Sequence, residues 1–239
     1  MKTIAIGDIH GLSIWKDIIN KENPDKVIFI GDYFDSFDIS LLDQLNNFQE
    51  IIDYKLSTTK EVILLIGNHD FHYYPGIYDI QYTGYQTGGS FNITSLIDYN
   101  KNHLQIAYKL DNILFTHAGV SSRFMNDVFG ENEWNVNNID NDLNDLFKYK
   151  PLVYHFYGRE PYGDDIEQTP IWIRPRSLMK SNKKTLRKQL IQVVGHTVVN
   201  QIDKKGKATG GKYYFIDCLP TSKEYLIIND GIISVGNLN

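Results

Sequence analysis

The chain holds one cysteine, Cys218, in 239 residues, so no intramolecular disulfide can form and no cysteine cluster exists to grip zinc as a structural finger does. A reducing compartment suits that usage. Positive charge is also short: 24 Lys and Arg face 29 Asp and Glu, a formal net charge of -5. General adhesion to nucleic acid is thereby disfavoured, because it needs clustered cations to neutralise phosphates. At the N-terminus the apolar run Met1–Ile6 meets Gly7 and Asp8 too early to be a signal-peptide core or to span a bilayer. Repeats, low-complexity tracts and linkers are missing as well. These absences predict a cytoplasmic protein of one domain over residues 1–239, with no membrane partner, no general nucleic-acid binding and an open oligomeric state.

What is present is enough apolar material for a core, 42% hydrophobic against 22% charged residues, which argues against disorder. Five short apolar runs stand out: Thr3–Ile6, Val27–Ile30, Val62–Ile66, Ile113–Thr116 and Ile191–Val194. Runs of that length read as strands buried on both faces. Between the first three, Leu12–Asn20 and Leu41–Leu56 carry apolar residues at helical spacing, so the chain predicts a layered α/β fold. The Gly- and Tyr-rich Tyr73–Ser90 stretch reads as a loop or lid. A helix over Phe91–Lys101, a strand around Leu104–Tyr108, a helix near Leu143–Phe147 and an irregular insertion over Pro151–Pro175 are expected to follow. At the C-terminal end Lys212–Ile216, Glu224–Ile228 and Ile232–Val235 predict a β-meander whose last pair is a hairpin.

Each buried run is followed at once by metal-competent residues. Asp8 and His10 follow the first, Asp32 and Asp35 the second, Asn68, His69 and Asp70 the third, His117 the fourth and His196 the fifth. In open α/β sheets, sites form beyond the carboxyl ends of the strands, so loops far apart in sequence are expected to meet in one site. Carboxylates, imidazoles and an amide oxygen without thiolates suit manganese, iron or zinc, and the imidazoles of His10, His117 and His196 argue against a pure magnesium or calcium site. Six ligands are too many for one open catalytic ion and suit two ions that share a carboxylate.

The five blocks, Gly-Asp-Ile-His-Gly from Gly7, Gly-Asp-Tyr-Phe-Asp from Gly31, Gly-Asn-His-Asp from Gly67, His-Ala-Gly from His117 and Gly-His from Gly195, resemble the calcineurin-like metallophosphoesterases. The likeness is to their phosphoprotein-phosphatase-type branch, which also contains diadenosine tetraphosphate hydrolases, and it runs from Gly7 to about Asp217. It implies a four-layer αββα sandwich with central mixed β-sheets and the site at the strand C-terminal ends. It implies two divalent ions, manganese first and iron or zinc otherwise, with Asp8 and His10 on the first, Asp32 bridging, and Asn68, His117 and His196 on the second. His69 resembles the general acid and Asp35 the carboxylate that orients it. The implied reaction is direct in-line attack of a metal-bridging hydroxide on phosphorus.

Departures from the pattern bear on substrate. Where the branch usually has arginines, beside the second block and before the third, this chain has Ser36, followed by Phe37, and Ile66. Trp172, Ile173 and Arg174 resemble the family's Trp-x-Arg segment, so Arg174 is the expected phosphate clamp, with Arg176 a weaker candidate. The expected substrate is a phosphorylated protein, phosphoserine or phosphothreonine first. The alternatives are a dinucleoside polyphosphate hydrolase or phosphodiesterase acting on nucleotides, and a non-catalytic scaffold on the same fold. Outside the blocks, His72, His103 and His155 are expected at the surface or in structural roles, with His72 close enough to reach the rim of the site. Asp70 is expected to cap a helix, the Tyr73–Tyr85 tyrosines to pack rather than to stack on bases, and Cys218 to be buried and inert. The basic run Lys180, Lys183, Lys184, Arg187 and Lys188 is expected to be a solvated helix face.

Overall fold

Alternating apolar runs and amphipathic segments become strands and helices where the sequence places them. The computed structural model describes residues 1–77, 81–155, 164–181, 186–205 and 212–238. Lys183 and Lys184 of the basic run, Tyr78 of the tyrosine-rich loop and the 156–163 part of the proline-rich segment lie outside them. The chain divides into two units, Met1–Leu104 with Cys218–Asn239, and Gln105–Asp217.

In the first unit β1 (Lys2–Ile6), β2 (Lys26–Phe29) and β3 (Glu61–Leu65) lie parallel, Thr3 opposite Lys26 and Val27 opposite Val62. Their side chains are almost all buried, as expected of strands covered on both faces. Helix α1 (Trp15–Glu22) connects β1 to β2 and buries Trp15, Ile18 and Ile19. Helix α2 (Leu41–Ser57) connects β2 to β3. Its first turn is capped by Ser40, whose Oγ accepts from the Asp43 N–H at 3.2 Å, and the Trp15 indole N–H donates to buried Asn47 at 2.9 Å. A single turn, α3 (Asn68–Phe71), leaves β3, and α4 (Ser90–Asn100) follows the tyrosine-rich loop. The strand expected around Leu104–Tyr108 is two strands in two sheets, β4 (Leu104–Gln105) at one edge of this sheet and β5 (Ala107–Leu110) in the other.

The second unit holds a five-stranded sheet in the order β5-β6-β7-β9-β8, from β6 (Ile113–Thr116), β7 (Ile191–Val194), β8 (Asp203–Lys205) and β9 (Lys212–Phe215) beside β5. β6, β7 and β9 are parallel, and the edge strands β5 and β8 run antiparallel to their neighbours. Helices α5 (Ser122–Phe129), α6 (Ile139–Tyr149), α7 (Pro175–Ser181) and α8 (Leu186–Gln189) belong to this unit.

The expected C-terminal meander is only half present. β10 (Glu224–Asn229) and β11 (Ile232–Asn237) form the hairpin, and β10 pairs antiparallel with β1, completing the sheet β11-β10-β1-β2-β3-β4. β9 instead lies parallel to β7, Gln192 opposite Tyr213. The rings of Tyr213 and Phe215 join Ala118, Ile173, Leu178 and Val194 in a buried cluster there. Burial of alternate side chains thus overrides proximity in sequence. Among the described residues no helix is long and apolar enough to cross a membrane.

Candidate metal centre and its acid pair

The three parallel strands of the first unit end in loops that are sewn together by the backbone. The N–H groups of Ile9 and His10 donate to the Asp32 carbonyl at 3.1 and 2.7 Å, and the Gly11 N–H donates to the Tyr33 carbonyl at 3.0 Å. The third loop joins through Asp70, whose buried carboxylate accepts from the N–H groups of Asp32 (2.8 Å), Tyr33 (2.7 Å) and Gly67 (2.9 Å). The helix-capping role expected of Asp70 is the smaller part of what it does. Gly67 permits this approach, since a Cβ there would stand 2.0 Å from Asp32 Oδ1.

These loops bring Asp8, His10 and Asp32 together, one donor atom of each within 4.8 Å of the others. Asp8 and Asp32 are buried, while the His10 side chain keeps 31% of its surface, so solvent or substrate reaches the group from the imidazole side. The Nδ1–H of His10 donates to the Phe34 carbonyl. That contact fixes the tautomer and leaves Nε2, 3.8 Å from Asp32 Oδ2, available to a cation. Two carboxylates and an oriented imidazole fit a divalent transition metal. Asn68, buried, opens α3 in the same stitched loops, and the next N–H, of His69, donates to Asp32 Oδ1 at 2.9 Å.

His69 is flanked by that group on one side, its ring centroid 5.3 Å from that of His10. On the other side lies Asp35, whose Oδ2 accepts from His69 Nδ1 at 2.9 Å. Burial pulls the His69 pKa down, but the Asp32 and Asp35 carboxylates outweigh it and hold the imidazole above its usual value. The Asp35 carboxyl is pushed up by burial and pulled further down by His69, His72 and Tyr73, so it stays ionised.

His72, expected at the surface or in a structural role, is buried with Nε2 2.6 Å from Asp35 Oδ2. The Tyr73 hydroxyl donates to Asp35 Oδ1 at 2.6 Å. Asp35, His69 and His72 also bring donor atoms within 4.8 Å, but they are turned on one another. The Tyr82 N–H donates to His72 Nδ1 at 3.2 Å, so the neutral ring carries its proton on Nε2, the atom that faces the carboxylate. Sequence reasoning put His72 no nearer than the rim of the site and gave Tyr73 only a packing role. The available signal was the three-residue spacing from His69, which puts both imidazoles on one side of a helical turn. Nothing in the sequence marks Gln86, whose side-chain amide joins the same network by donating to Asp35 Oδ1 at 3.4 Å and also donates to Gln44 at 3.0 Å.

In the second unit His117 and His196 follow β6 and β7, and the Gly195 N–H donates to the His117 carbonyl at 2.8 Å. The two rings lie 5.2 Å apart, edge to face, and Trp172 packs edge-on against His196 at 5.4 Å. Buried Ile173 anchors the segment between Trp172 and Arg174. Arg174 Nη1 donates to the His196 carbonyl (3.0 Å) and to Thr197 Oγ1 (3.1 Å), which pins the guanidinium beside the candidate ligand. Arg176 is exposed in the first turn of α7. His103 and His155 are half-buried and stand in short 3-10 turns.

His10, Asp32, Asp35 and His196 all have a left-handed backbone, with φ of 40°, 52°, 64° and 63°. A non-glycine residue there costs roughly 1–3 kcal/mol, and glycine would be cheaper.

Comparison with known proteins agrees in fold. A single-site variant of a cold-active protein tyrosine phosphatase superposes with TM-score 0.68 at 18% identity, over 99% of this chain and 77% of that one. The cold-active protein tyrosine phosphatase of a psychrophilic Shewanella species gives 0.62 at 17%, over 99% and 77%. A protein serine/threonine phosphatase from Saccharomyces cerevisiae gives 0.61 at 13%, over 100% and 80%. No curated protein matches the sequence. The calcineurin-like phosphoesterase family model matches residues 1–215, and with donor groups of this kind at its strand ends the chain belongs to that family of dinuclear-metal-dependent hydrolases.

Proposed function

We propose that the chain is a phosphomonoesterase of the protein-phosphatase type, working with two divalent ions on phosphoserine or phosphothreonine. The observation that carries this reading is the convergence of Asp8, His10 and Asp32 beside the hydrogen-bonded His69–Asp35 pair. Asp8 and His10 would hold the first ion, Asn68, His117 and His196 the second, with Asp32 serving both. The ions would supply an acidified water nucleophile and positive charge for the phosphoryl oxygens. The chain's own residues do the rest. His69, charged and oriented by Asp35, gives the Nε2 proton to the departing alkoxide. Arg174, whose guanidinium is held at the His196 backbone, is the cation that would bind the phosphoryl group, for which a guanidinium is well suited. Manganese is the first ion to load, and iron or zinc fits the same donors.

A second reading, a dinucleoside polyphosphate hydrolase or phosphodiesterase, is favoured by one observation. The Ser36 hydroxyl is folded back on the Asp38 and Ile39 N–H groups, and Ile66 is fully buried, so neither position offers a cation. A diester carries less charge to hold than a dianionic monoester.

The test is release of inorganic phosphate from a phosphoserine peptide by manganese-loaded protein, with bound metal counted by elemental analysis. Wild type is expected to hold two ions and turn over, and Asp32→Asn to lose both stoichiometry and turnover. Turnover that persists in excess chelator, or Asp32→Asn retaining two tight ions, would contradict the bridging role.

A further inference from the structure

The segment between Tyr82 and Gln86 is fastened at two points, and both fastenings end on the same carboxylate. At one end the Tyr82 N–H donates to His72 Nδ1 at 3.2 Å, and His72 Nε2 lies 2.6 Å from Asp35 Oδ2. At the other the Gln86 N–H donates to the Tyr73 hydroxyl at 2.7 Å, and that hydroxyl donates to Asp35 Oδ1 at 2.6 Å. Aromatic packing reinforces the arrangement, with Tyr82 stacked on His72 at 5.2 Å and Tyr85 on Tyr73 at 4.8 Å. Between the two fastenings Gly84 has φ +92°, and a Cβ built there would stand 3.3 Å from Asp35 Cβ and 3.5 Å from His69 Cε1. The strap therefore lies against the acid pair.

We propose that His72 and Tyr73 are positioning residues of the phosphoester reaction: they clamp the two oxygens of Asp35 and tie the 82–86 strap to them, and so hold His69 in the orientation that delivers its proton. The inference rests on the reading of His69 as the acid. Physically, Asp35 can orient His69 only if the carboxylate does not rotate. The Tyr73 O–H donating to Oδ1 and the close polar contact of His72 Nε2 against Oδ2 restrict its plane, and His69 Nδ1 shares Oδ2. Neither residue needs to touch substrate. Both carry their second partner on the strap, so each bond that fixes the carboxylate also fixes the wall beside His69.

Leaving-group dependence separates this role from a merely structural one, because misplacing the acid harms only substrates whose alkoxide needs a proton. The variants are Tyr73→Phe, which deletes one hydroxyl, His72→Phe, which deletes both the Tyr82 bond and the Asp35 contact of its ring, and His72→Gln, whose amide can accept from Tyr82 and donate to Asp35. His69→Asn is the control. With manganese-loaded proteins, kcat is measured on an alkyl phosphate and on 4-nitrophenyl phosphate. Tyr73→Phe and His72→Phe are expected to lose about 10-fold to 100-fold on the alkyl ester and about 3-fold or less on the aryl ester, with KM little changed and His72→Gln recovering most of the loss. If His72→Phe does not fold, Tyr73→Phe and His72→Gln decide the matter. A leaving-group-dependent loss in His69→Asn together with wild-type behaviour in Tyr73→Phe overturns the clamp and spares the acid. Equal losses on both esters in His69→Asn overturn the acid assignment, and the clamp with it.

Discussion

At the scale of single residues, the site is built from side chains whose backbone would prefer to be glycine. His10, Asp32, Asp35 and His196 stand at positive φ, and the neighbouring glycines take the places where only the absence of a Cβ allows approach, as Gly67 does against Asp32. The candidate ligand residues are legible in the sequence because they sit one after another behind apolar runs. It did not reveal what aims them, since a carbonyl such as Phe34 O holding His10 Nδ1 has no signature in residue type. Arg174 shows the same division. The sequence marks it as a candidate through the Trp172–Arg174 segment, but its anchor on the His196 carbonyl is not readable there. Arg174→Ala is expected to weaken competitive inhibition by inorganic phosphate about 10-fold and to raise KM more than it lowers kcat. A charge-assisted hydrogen bond to an anion is worth roughly 1.5–3 kcal/mol. Phosphate inhibition constants measure this directly, and an unchanged constant would remove Arg174 from the phosphate site.

At the scale of elements, the strands and the α1 and α2 connections follow from apolar runs of four or five residues and from helical spacing. β8 and the parallel placement of β9 do not. Lys204 and Lys205 give no apolar signal, and β9 pairs with a strand about 20 residues earlier rather than with the hairpin that follows it. The stitching of the second and third site loops by Asp70 is also a matter of elements, because it joins the ends of β2 and β3. Asp70→Ala strands three buried N–H groups and is expected to lower stability by about 3 kcal/mol or more, with weaker metal binding, by urea unfolding and metal titration. Unaltered unfolding would show that the loops hold without it.

The clamp residue His72 has a separate consequence for stability. Burial holds its pKa below the usual 6.5, the contact with Asp35 offsetting only part of that. The folded protein therefore keeps the ring neutral while the unfolded chain takes up a proton. Stability from this group is complete above the unfolded pKa and declines as pH falls toward the folded one. Asp35, lowered likewise, gives way in the same direction at more acid pH. Metal-free protein is expected to lose urea resistance as pH falls through about 6.5 and below, and His72→Gln to lose less. An identical decline in both would detach His72 from the acid sensitivity.

At the scale of the whole molecule, the net charge of -5 is partly an inventory of ligands, because two divalent ions would neutralise four of those charges. Cation loading is then expected to stabilise the fold by mass action, by about 4 kcal/mol where free metal stands 1,000-fold above its dissociation constant. A chelated sample should melt several degrees lower and recover with manganese, and identical melting with and without chelator would argue against resident ions. The central claim, a metal-dependent phosphomonoesterase acting on phosphorylated protein, is tested most directly by one side-by-side comparison. Manganese-loaded protein is given a phosphoserine peptide, a phosphodiester and diadenosine tetraphosphate, and kcat/KM is measured on each. The account predicts the highest value on the phosphopeptide. A value at least 10-fold higher on diadenosine tetraphosphate or on the diester, or no turnover of any of the three, would contradict it.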